Sequence, residues 1–393
     1  MTERAPPQPP PLAPQSAAEP IVWRDLSLVG VLLCVVGFFA LTAPQFLSAR
    51  NLSLLTTEFS ITAVLALGML LVILPGHIDL SAGSGVGLLG GVAAVLILRV
   101  GLPAPVALLA SFALGLIIWR AMGTIIVTQG IPAFIITLGG LLCCKGLFWL
   151  IIRNQTVPVS PGGAPNLYSV LTTYYLPPLP SYALGTLVIA VLGVLRYRDY
   201  RAQLAEGHHG PDWELHLYRF LVPAQGVAVL CILCGQFRGL PLPALILGAV
   251  ALGVHVLVRH TPLGRALYAV GGNEEAAFLS GIPVRRVVIT AYTVMGALVA
   301  LTGLLQTAYA GASTTTVGEL MELDAVAACV IGGASLRGGR GTVGGVLLGA
   351  LLMATLLSGM ALLAVPPEAR FIARGLVLAL AAWLDVRLSA RSA

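Results

Sequence analysis

Long apolar runs recur from Leu26 to Leu384 with only short polar breaks between them. Read as helices, they cover Leu26–Leu41, Ser60–Leu74, Val86–Leu98, Val106–Trp119, Pro132–Ile152, Tyr182–Leu195, Phe220–Phe237, Pro241–Val258, Val287–Tyr309, Leu323–Ile331, Val343–Leu363 and Phe371–Leu384. A helix needs roughly 20 apolar residues to cross a bilayer core. Ser60–Leu74, Val86–Leu98 and Leu323–Ile331 are short for that task. Short, glycine-interrupted segments are expected as broken or re-entrant helices around a cavity. The pattern therefore predicts an all-α, polytopic transmembrane helical bundle of about 10–12 spans. No alternation of polar and apolar residues supports a membrane β-barrel.

Composition agrees: 58% of residues are hydrophobic and 10% charged, and the mean hydropathy is +0.94. A soluble domain carries about 25% charged residues. Residues 1–24 are Pro-rich and polar, which predicts a disordered cytoplasmic tail, and residues 25–386 form the membrane domain. No cleaved signal peptide is read before Leu26, so the first helix is expected to target the chain.

The net charge of +6 comes from basic residues at segment ends, which argues against a nucleic-acid face. With both termini in the cytoplasm, 15 arginines fall on the inner side. The other six, Arg50, Arg99, Arg153, Arg238, Arg370 and Arg374, fall outside, in accord with the positive-inside bias. Arg370 and Arg374 flank an outer end and make the bias uneven. The stretch Arg196–Arg219 reads as a solvated inner loop, and Arg153–Pro180 as a long outer one.

Candidate chemistry is sparse. The six cysteines all lie in apolar runs, and Cys231-x-x-Cys234 lacks the βαβ setting of a redox motif. The histidines show no metal-ligand spacing, and no catalytic residue, metal site or cofactor site is read. Gly85-x-Gly87-x-x-Gly90 matches a dinucleotide fingerprint but opens a membrane helix with no acid behind it. Close helix packing, with Gly87-x-x-x-Gly91 and Gly345-x-x-x-Gly349, is the better account. Gly76, Leu80, Gly83 and Gly85 also align at constant offset with Gly332, Leu336, Gly339 and Gly341, as in a duplicated transporter half.

Three stretches carry more. In Gly76-His77-Ile78-Asp79-Leu80-Ser81-Ala82-Gly83-Ser84 an aspartate sits between apolar runs, where it is costly unless paired or facing a wet cavity. Asp79 either caps a helix starting at Leu80 or touches a translocated solute. Glu322 and Asp324 stand beside a short apolar run closed by Gly332 and Gly333, another acid at a broken helix. Lys145, the only lysine, lies in the fifth run and needs a partner or snorkels outward. The loop Gly271–Arg286 encloses a short amphipathic helix, Glu275-Ala276-Ala277-x-x-x-Gly281, followed by a Pro turn. Such a device points to a cytoplasmic partner, with small residues entering a cleft on it.

Together these stretches resemble the permease subunits of ATP-binding cassette importers for ribose and xylose. That family carries G-x-I-D-L-S-x-G-S, then G-x-N-x-x-A-A-x-x-S-G-I-x-V, then L-D-A-x-A-A-x-x-I-G-G-x-S-L-x-G-G-x-G. Here they read Gly76–Ser84, Gly271–Val284 and Leu323–Gly341, in that order. His77 and Ala82 depart from the commoner Gly and Val, and the length of Arg196–Arg219 matches the xylose branch. The resemblance implies a permease that is not itself an enzyme, in a bacterial inner membrane, with ATP hydrolysed by a separate subunit. It implies a homodimer, partner ATPase subunits and an extracytoplasmic sugar-binding protein. Gly271, Asn273, Glu275, Ala276, Ala277, Ser280 and Gly281 would form the ATPase-coupling loop. Gly76, His77, Asp79, Ser81, Gly83, Asp324, Gly332 and Gly333 are the translocation or broken-helix candidates. An ion-coupled secondary transporter, using Asp79, Asp324 or Lys145, is the rival reading.

Overall fold

A computed structural model describes residues 20–205 and 213–390. Most of the predicted tail, and His208 and His209, lie outside the described residues. Fifteen helices follow in order among the described residues: α1 Pro20–Thr42, α2 Ala49–Ile73, α3 Ala82–Leu98, α4 Ala104–Gln129, α5 Ala133–Ile152, α6 Leu167–Thr173, α7 Pro178–Ala205, α8 Trp213–Gly235, α9 Leu242–His260, α10 Pro262–Gly272, α11 Glu274–Leu279, α12 Val284–Ala310, α13 Met321–Ile331, α14 Val343–Leu362 and α15 Pro367–Ala390. Eight of them are long and apolar enough to cross a membrane, and Leu28–Thr42 and Ala82–Leu98 are shorter apolar helices. Two two-residue ladders pin the loops at one end: Val157 pairs with Ser313, and Tyr175 with Pro241, both antiparallel. The chain is a polytopic helical membrane bundle.

α2 is the central pillar, flanked by α12, α13 and α14. Hydropathy placed its start at Ser60, eleven residues late, because the first half carries Asn51, Ser53, Thr56, Thr57 and Ser60. These side chains are buried, and the hydroxyls of Thr56, Thr57 and Ser60 donate to carbonyls four residues back. A hydroxyl satisfied within its own helix costs little in an apolar setting, so α2 is a full-length span. α1 likewise starts at Pro20, inside the predicted tail, since proline suits a first helical position.

The supposed inner loop Arg196–Arg219 is mostly helix, because α7 continues to Ala205 and α8 begins at Trp213. Helix-spaced contacts carry α7 past its apolar stretch: Arg196 pairs with Asp199 at 3.8 Å, and Arg201 lies 6.0 Å from the Tyr197 ring. The opposite long loop is no free excursion either. Within it, α6 is capped reciprocally by Asn166 and Ser169. Tyr168, fully buried, donates from its hydroxyl to the Gly90 carbonyl at 2.9 Å.

Two elements break the helical plan. α13 has 11 residues and rises about 16 Å at 1.5 Å per residue, half of a bilayer core. The chain leading to it, residues 311–320, is not helical and runs antiparallel to α3. Ser313 lies against Gly91, Val317 against Gly87, and Gly318 with Glu322 against Gly83. The glycines of α3 do serve close helix packing, Gly87 and Gly91 against Phe148 of α5, Gly85 against Trp119 of α4 and Gly90 against Thr307 of α12, while the Gly83–Gly87–Gly91 stripe also seats the turn-rich segment before α13. The second glycine pair also packs helix on helix, Gly345 against Gly332 and Gly349 against Ala328 of α13.

Candidate functional site

The three sequence stretches, far apart along the chain, meet at one end of the bundle. α2 ends at Ile73, and Gly76 turns the chain with φ of +89°, a conformation only glycine adopts without strain. The Leu74 carbonyl, left free by the helix end, accepts from the Gly339 amide at 2.9 Å. Ser335–Arg340 forms a tight turn, Ser335 donating from its amide to the Arg340 carbonyl at 3.0 Å. Gly271, near the end of α10, lies directly on the Leu74 carbonyl and the Gly339 amide, with no room for a Cβ. Gly338 touches both Gly271 and Gly76. Tyr268 of α10 adds a hydrogen bond from its hydroxyl to the Gly341 carbonyl at 2.6 Å. Backbone meets backbone at this node, which is why its members are glycines.

From the node α10 leads into α11. Asn273 caps α11, its side chain accepting from the Ala276 amide at 2.9 Å. Glu274 and Glu275 occupy the first turn, where acids oppose the helix dipole favourably. Ser280 donates to the Ala276 carbonyl at 2.8 Å, and Gly281, with φ of +81°, ends the turn. Ala277 is 4% exposed and packed inside its own chain, so the expectation that it enters a partner is corrected. What α11 offers outward is Phe278, 69% exposed, and Leu279, 78% exposed. Beside it runs a groove of about 1100 Å³, lined by His77, Ile126, Pro132, Phe278, Pro283 and Arg286 among others. The His77 ring lies 5.9 Å from that of Tyr292.

Asp79 sits just inside the node and is fully buried. Its Oδ1 accepts from the amide and the hydroxyl of Ser81, at 2.8 and 2.5 Å, and its Oδ2 from Trp119 Nε1 at 2.6 Å. α3 begins at Ala82 with Ser81 at the N-cap, so Asp79 does not cap a helix starting at Leu80. It ties the turn before α3 to α4 instead. The proposed repeat also fails in structure. Gly83 and Gly85 lie within α3, Gly85 beneath the Trp119 ring, whereas Gly339 and Gly341 lie in the loop before α14.

Asp324, in the first turn of α13, lies 3.5 Å from Arg374 Nε of α15. Arg374 is therefore an internal counter-charge, not a loop residue, which explains one of the two arginines that spoiled the charge bias. Gly332 and Gly333 close α13 as expected, Gly333 with φ of +82°. Among the described residues no group of three His, Cys, Asp or Glu is placed to hold a metal ion. Trp119, Tyr268 and Leu74 were not legible as site residues, because a tryptophan, a tyrosine and a carbonyl at run ends carry no pattern of their own.

Known proteins resemble this chain along nearly its whole length. The family described as branched-chain amino acid transport system / permease component matches residues 51–382. The chain is 37% identical to the xylose transport system permease protein of Escherichia coli K12 over 366 residues, 93% of this chain and 92% of the relative. To the corresponding protein of Haemophilus influenzae it is 39% identical over 367 residues, 92% and 95% of the two lengths. The ribose import permease protein of Escherichia coli K12 is 31% identical over 354 residues, 90% and 91% of the two lengths. No solved structure matches. A multi-span bundle with these three motifs in contact, matched along nearly its whole length, belongs to the family of transport-system permease components.

Proposed function

We propose that this chain is the permease of a monosaccharide importer of a bacterial inner membrane, with xylose as its solute. It works as a homodimer that takes sugar from an extracytoplasmic binding protein and is driven by separate ATP-binding cassette subunits. The observation that carries this is the node: the α10–α11 unit, with Phe278 and Leu279 exposed, is hydrogen-bonded through Tyr268 to the turn before α14 and packed through Gly271 on the end of α2. A force on α11 from the cytoplasm therefore reaches two membrane helices through Leu74, Gly339 and Gly341. Phe278, Leu279, Glu274 and Glu275 offer an apolar knob with an acidic rim for the ATPase to grip.

The chain carries no Walker A lysine, since its one lysine, Lys145, lies in α5. ATP hydrolysis thus belongs to a partner. Sugar rather than an ion as the driven species fits the buried acids, because Asp79 holds three donors and Asp324 faces Arg374. The xylose assignment rests on the relatives of about equal length. The test is uptake of labelled xylose, ribose, galactose and glucose by the reconstituted complex with its binding protein saturated. Xylose uptake well above the rest is expected; uptake of a hexose with none of xylose would refute the assignment.

A further inference from the structure

We propose that the irregular segment 314–319, with Lys145 and Trp149 of α5, is a sugar-contacting wall in the outer half of the translocation path. This rests on the monosaccharide reading above. The segment starts at the ladder Val157–Ser313 and follows α3 to Gly83 as a run of turns, Val317 donating to the Thr314 carbonyl at 3.0 Å and Glu319 to that of Thr316 at 3.2 Å, so it runs beside a membrane helix without regular helical bonding. Thr316 and Glu319 are exposed, and Thr314, Thr315 and Lys145 are half-exposed. Lipid cannot satisfy an exposed carboxylate and hydroxyls beside a membrane helix; a water-filled cavity can. These polar groups therefore face water.

The chemistry fits a polyhydroxylated, uncharged solute. Trp149 is 40% exposed and held in place, its Nε1 donating to the Thr315 carbonyl at 3.4 Å. Lys145 Nζ lies 5.4 Å from the centre of that ring, one helical turn away, and makes no ion pair among the described residues. The Thr314 and Thr316 hydroxyls sit 3.1 Å apart. An indole suits the C–H face of a sugar ring, while hydroxyls, an ammonium and a carboxylate suit its edge. A contact on a path must be weak enough to release, which partly exposed side chains such as these allow. Asp79, by contrast, is sealed off.

The test uses the full complex in liposomes. Thr316→Cys is exposed to a membrane-impermeant thiol reagent from outside, with the unsubstituted chain as baseline and Leu252→Cys, in the middle of α9, as the lipid-facing control. Modification of Thr316→Cys at least tenfold faster than Leu252→Cys is expected. Sugar translocated per ATP hydrolysed should fall fivefold or more in Trp149→Ala, and less in Thr316→Val, with binding-protein stimulation of ATPase retained. Equal modification rates, or unchanged sugar per ATP in both variants, would overturn the wall. If the unsubstituted complex moves no monosaccharide, the functional reading fails instead, and the labelling alone decides whether this face is wet.

Discussion

The Gly339 amide donates to the Leu74 carbonyl at 2.9 Å, across a sequence separation that spans most of the membrane domain, and Gly271 lies on both groups. This contact joins the turn before α14 to the end of the pillar α2, with the end of α10 packed on both. Its two flanking glycines on α10 differ sharply: a Cβ on Gly271 collides with backbone, whereas a Cβ on Gly272 meets nothing within 4 Å. Gly271→Ala should therefore cut coupled uptake at least tenfold, or lower the yield of folded protein, while Gly272→Ala behaves like the unsubstituted chain. Uptake assays on the pair, normalised to protein in the liposome, check this. Equal effects at both positions would remove the node from the account.

α11 should separate docking from folding. Phe278→Asp and Leu279→Asp, both on exposed side chains, should leave the thermal midpoint unchanged and abolish co-purification of the ATPase. Ala277→Glu puts a charge into a buried position and should lower the midpoint instead. Gly281→Leu forces a left-handed conformation on a branched residue, at about 1–2 kcal/mol, and should loosen the end of α11. Retention of the ATPase by Phe278→Asp and Leu279→Asp together would show that the partner binds elsewhere.

Asp79 and Trp119 act as a structural tie. Trp119→Phe leaves a buried carboxylate oxygen without its donor, at about 1.5–3 kcal/mol. The expected result is a lower thermal midpoint in detergent with unchanged sugar selectivity. A well-folded Trp119→Phe or Asp79→Ala protein with altered selectivity would place Asp79 on the path after all.

The Asp324–Arg374 pair offers a double-mutant test. Arg374→Ala strands Asp324 in a buried site and should destabilise by about 3 kcal/mol. Asp324→Asn with Arg374→Ala should recover most of that loss. Equal destabilisation by the single and double substitutions, read from thermal midpoints, would show that the two side chains do not depend on each other.

The helical plan was legible because apolar runs of membrane length are hard to mistake. It failed where polarity and helicity part company. Thr56, Thr57 and Ser60 look like a loop yet bond within α2, and Arg196–Asp199 extends α7 beyond its apolar stretch. Asp79 and Asp324 were visible as expensive acids, but their partners, Trp119 and Arg374, were not, since neither has a periodic relation to them. The α11 helix and its Gly281 end were readable from composition. Which side of it faced outward was not: Ala277 turns inward because α12 packs there, a tertiary fact. Least legible was the node, where the contacting groups are backbone amides and carbonyls that every residue carries. Thr314–Thr316 are illegible for a related reason, since three threonines after a span resemble an ordinary loop until the contacts of Ser313 and Val317 lay them along α3.

In the proposed function this chain opens and closes under ATP hydrolysed by another polypeptide. The most direct measurement is xylose uptake into liposomes holding the permease, with binding protein, ATPase, ATP and ion gradients supplied or withheld one at a time. The account predicts uptake only when binding protein, ATPase and ATP are all present, and none from a proton or sodium gradient alone. Uptake by the permease without its ATPase, driven by an ion gradient, would contradict it.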